Sequence, residues 1–257
     1  MNCRNCEKPL RTDYSFCANC GAKIIRNRLT FKNLGQDFTE RYFNIDNTFL
    51  RTFLHLFSKP EVVIEGYISG TRKRYLNPVS YLGIALTLSG LIVFLMGKNA
   101  DKIDLDVFGT GVDSNAMQPV FDFTMDFQAI LFALYIPMMA IASWLVFENK
   151  KYNFTERLVV FMYTLAHYSL FIFLPSIIIL LLAPDLYGNF TMLAFILMYV
   201  YSAYVIWRIA SLKGIDYWAR VLLFFVLFTI FYFGLSLVIM IVLLITGDIS
   251  IQDFAPK

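Results

Sequence analysis

The sequence predicts an all-α integral membrane protein: five transmembrane helices behind amphipathic juxtamembrane helices and a cysteine-bearing front module. Three observations predict it. Five apolar runs each hold about 18 or more residues free of Asp, Glu, Lys and Arg, enough to cross a hydrocarbon layer of about 30 Å. The polar front end, residues 1–78, holds thirteen of the 22 lysines and arginines. Two Cys-x-x-Cys pairs fall within the first twenty residues. Hydrophobic residues make up 58% of the 257 and charged residues 16%, against roughly 25% charged in soluble chains. An ordinary soluble domain is thereby excluded. The net charge of +3 is small, so its distribution along the chain carries the information.

Residues 1–25 form the first module. Cys3-x-x-Cys6 and Cys17-x-x-Cys20 lie ten residues apart, the spacing that lets four thiolates converge on one tetrahedral ion. About twenty residues bury too little apolar surface to fold unaided, so metal binding would supply most of the folding energy. The expected cofactor is structural Zn2+ in a zinc ribbon, since no histidine or carboxylate with an open position accompanies the cysteines. Arg4, Lys8, Arg11 and Lys23 would offset its negative charge. Gly21 follows the second knuckle where a tight turn is wanted, and Glu7 takes that place in the first. The first 25 residues lack an apolar signal core, which points to a cytoplasmic start where thiols stay reduced.

Residues 26–78 form the interfacial region. Lys23, Arg26, Arg28 and Lys32 are read as attraction to anionic lipid, in preference to a nucleic-acid backbone. Leu29–Phe57 reads as one or two amphipathic helices, with Phe49, Leu50, Phe53, Leu54, Leu56 and Phe57 on the apolar face, lying in the interface or against the spans. Ser58-Lys59-Pro60-Glu61 has the form of a capping box, a short helix follows, and Gly70 ends it. His55 reads as an ordinary surface or interface histidine.

Residues 79–247 are the membrane domain, with spans at 79–96, 127–147, 158–183, 190–207 and 221–246; residues 248–257 are a short external tail. Pro137 and Pro175 are the expected bend points. High and low counts of basic residues alternate along the loops, which places the N-terminus inside and the C-terminus outside. Trp144, Trp207 and Trp218 all fall at predicted inner ends. Arg72, Lys73, Arg74, Arg157, Arg208 and Arg220 gather there as candidate lipid head-group contacts. The outer loop 98–126 is acidic and reads as solvated. Gly83, Thr87 and Gly90 share one face of the first span and suit close helix contact, leaving room for oligomerisation. His167 lies within the third span, and an intramembrane histidine calls for a role. An interhelical hydrogen bond is the expectation, with Tyr163, His167 and Tyr199 as a candidate polar intramembrane site.

The ribbon, Phe49-Leu50-Arg51-Thr52-Phe53, the Ser58-Lys59-Pro60 turn and Tyr67-Ile68-Ser69-Gly70-Thr71-Arg72-Lys73-Arg74-Tyr75-Leu76-Asn77-Pro78 carry a resemblance. They are similar to a bacterial membrane-protein family known as domain of unknown function 3667. That resemblance implies a small multi-pass protein of the inner (plasma) membrane with a cytoplasmic zinc ribbon, and it brings no catalytic residues. At the level of fold the chain also resembles the Yip group of five-span proteins. Asp185-Leu186-Tyr187-Gly188 echoes a motif of that group, although here it lies between the third and fourth spans.

No nucleophile with a base, phosphate-cradling glycine loop or carboxylate pair appears at recognisable spacing. The expectation is a non-enzymatic scaffold or docking protein, with the bilayer and a protein bound through the ribbon as partners. The alternative is a small-solute or lipid transporter using the polar faces of spans three and four. A lipid-active enzyme holding a head group on the inner arginines is a third reading.

Overall fold

The computed structural model describes residues 2–3, 5–11, 13–22, 24, 44–103, 114–147, 151–210 and 214–249. It divides into two units, residues 1–46 and 47–257. Arg4, Lys23, the basic flank at Arg26, Arg28 and Lys32, the amphipathic segment before residue 44 and the tail from 250 lie outside the described residues. So do Asp104, Asp106 and Asp113 of the acidic loop.

In the first unit the backbone turns twice around the cysteines, and one antiparallel bridge joins Asn2 and Pro9. The second unit is helical. Two juxtamembrane helices, α1 (Asn44–Ser58) and α2 (Pro60–Ile68), precede the first span, α3 (Pro78–Lys98). A further helix, α4 (Ser114–Asp126), precedes the spans α5 (Gln128–Val146), α6 (Phe154–Leu182), α7 (Tyr187–Ile209) and α8 (Ile215–Thr246). All five spans are long and apolar enough to cross a membrane.

Local chemistry explains where these helices start. Asn77 caps α3 by accepting from the Ser80 amide at 2.8 Å, with Pro78 in the first turn. The span α6 begins at Phe154, ahead of the expected Leu158. Asn153 and Glu156 form a reciprocal capping box there, with bonds of 2.9 and 2.8 Å. The box expected at Ser58-Lys59-Pro60-Glu61 does not form. Ser58 still belongs to α1 and its hydroxyl donates back to the Leu54 carbonyl, while Glu61 pairs with Arg208. Gly70, at φ +104°, ends the turn after α2.

The acidic loop also departs from expectation, because half of it is α4. Val120, Phe121 and Met125 recur at helical spacing within the acidic composition. Phe121 packs on a cluster of Ile103, Leu180 and Tyr187 at one end of the bundle.

The third span α6 is the hub. One of its faces joins Met139, Met198, Phe224 and Phe228 around Phe161 and Leu165. The other joins Leu56, Val63, Ile64, Tyr81, Ala85 and Val205 around Val160 and Tyr163. Helix α3 turns Tyr81, Ala85 and Ser89 inward, one turn apart. Gly83, Thr87 and Gly90 consequently lie on its exposed face, and a Cβ on either glycine would meet nothing within 4 Å. The expected small-residue contact is therefore not among the contacts of the described residues.

Candidate functional site

In the front unit the two knuckles repeat the same backbone pattern. The Cys3 amide donates to the Lys8 carbonyl and the Glu7 amide to the Cys3 carbonyl, at 2.9 and 2.8 Å. The Cys17 amide donates to Ala22 and the Gly21 amide to Cys17, both at 2.9 Å. Each pattern needs a left-handed residue in its turn, met by Gly21 at φ +71° and Glu7 at φ +61°. Leu10 is buried beside Cys3 and Cys17, with Tyr14 and Ile24 packed against them.

The turns bring all four sulfurs within 4.8 Å of one another. Cys3 and Cys20 are 3.7 Å apart at sulfur, and Cys6 and Cys17 3.6 Å. Tetrahedral zinc with Zn–S bonds of about 2.3 Å sets the sulfurs about 3.8 Å apart, so the donor set fits. Protons are shared unequally among the thiols. Hydrogen bonds from the Asn5 side chain and the Ala22 backbone hold Cys20 down to about 6. Cys6 is pushed up to about 11: the Lys8 backbone amide lowers it, but Cys20, burial and Cys17 together outweigh that bond. The four cysteines predicted from spacing form one candidate metal centre.

At the Pro78 end of the bundle the predicted head-group residues divide into two sets. Arg72, Lys73 and Arg74 are exposed, and the guanidinium groups of Arg72 and Arg74 lie over the rings of Tyr67 and Tyr75 at 5.5 Å. The other three bond groups of the protein itself. Arg157 is 3% exposed and donates to the Ser143 carbonyl and hydroxyl and to the Phe147 carbonyl. Arg220 donates to the Val146 carbonyl at 3.0 Å. Arg208 pairs with Glu61, its Nε donating at 2.9 Å.

The physical reason is that helices α1, α5 and α7 all end here, and the last carbonyls of a helix lack intrahelical partners. Cations and hydroxyls capping them also meet the negative end of the helix dipole. Lys151 does this for the Ile209 carbonyl, while Tyr201 and Tyr204 do it for Leu56 and Phe57.

These contacts seat α1 and α2 on the spans. Thr52 is fully buried; its hydroxyl accepts from the Leu76 amide at 2.9 Å, and Tyr163 donates to the Leu76 carbonyl at 2.6 Å. His55 bonds the Tyr75 hydroxyl at 2.7 Å, so it is a tether and not a bystander. Burial, and then the charges of Lys59, Arg74 and Arg51, hold its basicity below the usual histidine value. Tyr152 donates to Glu65, which also pairs with Lys151 at 3.0 Å. For Glu61, burial would raise the carboxyl, but the hydrogen bond from Arg208, the bond from its own backbone amide and the charges of Arg208 and Lys59 together outweigh it and leave it below its usual value. Sequence reasoning missed Thr52, Glu61, Glu65 and Tyr152. Their partners lie about 24 to 147 positions away, and no local period marks such pairs.

His167 is fully buried and bonds the Tyr81 hydroxyl at 2.9 Å, the interhelical hydrogen bond expected of it. The rings of Phe53, Phe57 and Tyr201 close around it at 4.9, 4.3 and 5.1 Å. Nε2 has no hydrogen-bond partner among the described residues, and with Tyr81 donating to Nδ1 it is the nitrogen that carries the proton. Tyr199 belongs elsewhere: its hydroxyl meets Thr229 of α8 at 2.7 Å. Tyr163, His167 and Tyr199 therefore do not line one polar cavity.

No curated protein and no solved structure matches this chain. Residues 46–90, which run from the seated helices into the first span, match the family described as "Protein of unknown function (DUF3667)".

Proposed function

We propose that this chain is a non-enzymatic docking protein of a bacterial inner membrane. Zinc folds its front module, which faces the cytoplasm together with the basic end of the bundle. The observation that carries this reading is the closure of four cysteine sulfurs within 4.8 Å. Four thiolates fill every position on a tetrahedral ion, which leaves none for a substrate and makes the metal a folding element. Zinc suits this donor set because it prefers tetrahedral thiolate coordination and has no redox chemistry of its own.

The sidedness is supported by the gathering of Arg72, Lys73, Arg74, Lys151 and Arg220 at one end of the bundle, as the positive-inside rule requires. The exposed Arg72-Lys73-Arg74 triplet meets anionic head groups at about 1 kcal/mol per charge. The partner is a cytoplasmic protein gripped by the ribbon surface.

The test uses the full chain purified from membranes, with metal analysis and cross-linked co-purification. One zinc per chain and a partner lost on Cys3→Ser/Cys17→Ser, with the protein still in the membrane, are the expected results. A different metal, or recovery of the same partner after deletion of residues 1–25, would overturn the reading.

A further inference from the structure

At the end of the bundle away from the basic collar, a cavity of about 330 Å3 opens between α3, α4, α5, α6, α7 and α8. No Asp, Glu, Lys or Arg lines it. Several of its hydroxyls are already engaged: Thr124, Thr191 and Tyr168 donate to backbone carbonyls at 2.6–2.7 Å. Four polar groups are not. Ser176 is 1% exposed and its hydroxyl has no hydrogen bond of normal geometry among the described residues; its contact with the Tyr187 hydroxyl is a weak one. The rings of Tyr135 and Tyr232 meet at 5.8 Å, tilted by 45°, and neither hydroxyl is bonded among the described residues. The Gln128 amide reaches Ser89 only through Oε1, at 3.5 Å, which leaves its NH2 group open.

Water does not suit this space. A volume of that size holds about ten waters at about 30 Å3 each, and each needs two to four polar partners. Four open groups satisfy only a few, and the rest of the wall is aliphatic and aromatic. Unpaired donors at membrane depth are costly, so the arrangement asks for a ligand with an apolar body and a polar end. Its size is at the lower end of small-molecule sites. An uncharged wall rejects ions. Three hydroxyls and an amide NH2 all offer protons, so the complementary groups are acceptor oxygens.

We propose that this cavity binds an uncharged, lipid-soluble molecule through its carbonyl oxygens. Quinone rings and the ester groups of neutral glycerides share that chemistry, and the ligand enters from the end lined by Phe121 and Tyr187. This is independent of the docking role and of the metal centre.

Native mass spectrometry of the full chain in detergent, titrated separately with decylubiquinone and with dioctanoylglycerol, tests it. Saturable one-to-one binding of either probe is expected, and which of them binds identifies the source. Ala194→Leu narrows the cavity and should weaken binding at least tenfold. Tyr232→Phe keeps the shape but removes one donor and should weaken it about fivefold, with thermal unfolding of the variant confirming the fold. Failure of both probes to bind, or binding that neither substitution changes, would overturn the proposal.

Discussion

Glu7 shows how much one backbone angle matters. It occupies the left-handed turn that its symmetry mate gives to Gly21. A non-glycine residue there costs about 1–2 kcal/mol, partly offset by the extra freedom glycine has when unfolded. Glu7→Gly should therefore stabilise the front module by about 0.5–1 kcal/mol. The measurement is zinc release from the full chain to a colorimetric chelator, which should slow; faster release would show that the Glu7 side chain has another role. His167 makes the opposite case. Tyr81→Phe would leave a fully buried Nδ1 unpaired, at about 1–3 kcal/mol. Thermal unfolding in detergent should show the loss, and the double variant Tyr81→Phe/His167→Phe should recover part of it.

Among elements, the seating of α1 and α2 is the most testable. Two of its groups make it acid-sensitive, and in the same direction. His55 is less basic folded than unfolded, so its contribution is whole above the ordinary value of about 6.5 and falls as protons bind below it. Glu61 is held below the ordinary carboxyl value of about 4.5, so its contribution is present above that value and is lost as pH falls through the folded one. Hydrogen exchange over residues 44–68 should rise in two steps on acidification. Glu61→Gln should remove the lower step and leave the upper one; a single step insensitive to that change would refute the linkage.

The arginines at the same end act on helix termini. Arg157→Met removes charged hydrogen bonds to the end of α5 at about 1.5–3 kcal/mol, read as lower thermal stability in detergent. The exposed Arg72→Gln should cost little stability and instead weaken binding to vesicles containing phosphatidylglycerol.

For the whole molecule, sidedness is the expectation on which the docking role rests. Alkaline phosphatase fused after Lys257 should be active and a green fluorescent protein fusion there dark; the reverse pair would put the ribbon outside the cell.

The sequence by itself determined the five spans and the four cysteines of the candidate metal centre. Uncharged length and Cys-x-x-Cys spacing are local properties, each readable within about twenty residues. Span boundaries were legible where a cap stands next to the apolar run, as at Asn77, and slipped where the cap preceded it, as at Asn153. Helix α4 was hidden because its acidic composition outweighed a short apolar period. Only the tertiary structure decided that Arg157, Arg208 and Arg220 serve helix ends and a carboxylate, that aromatic rings enclose His167, and that open hydroxyls meet in a cavity beneath α4. Each of these depends on which helix termini and faces adjoin in space, and long-range packing sets that adjacency without leaving a periodic mark on the chain.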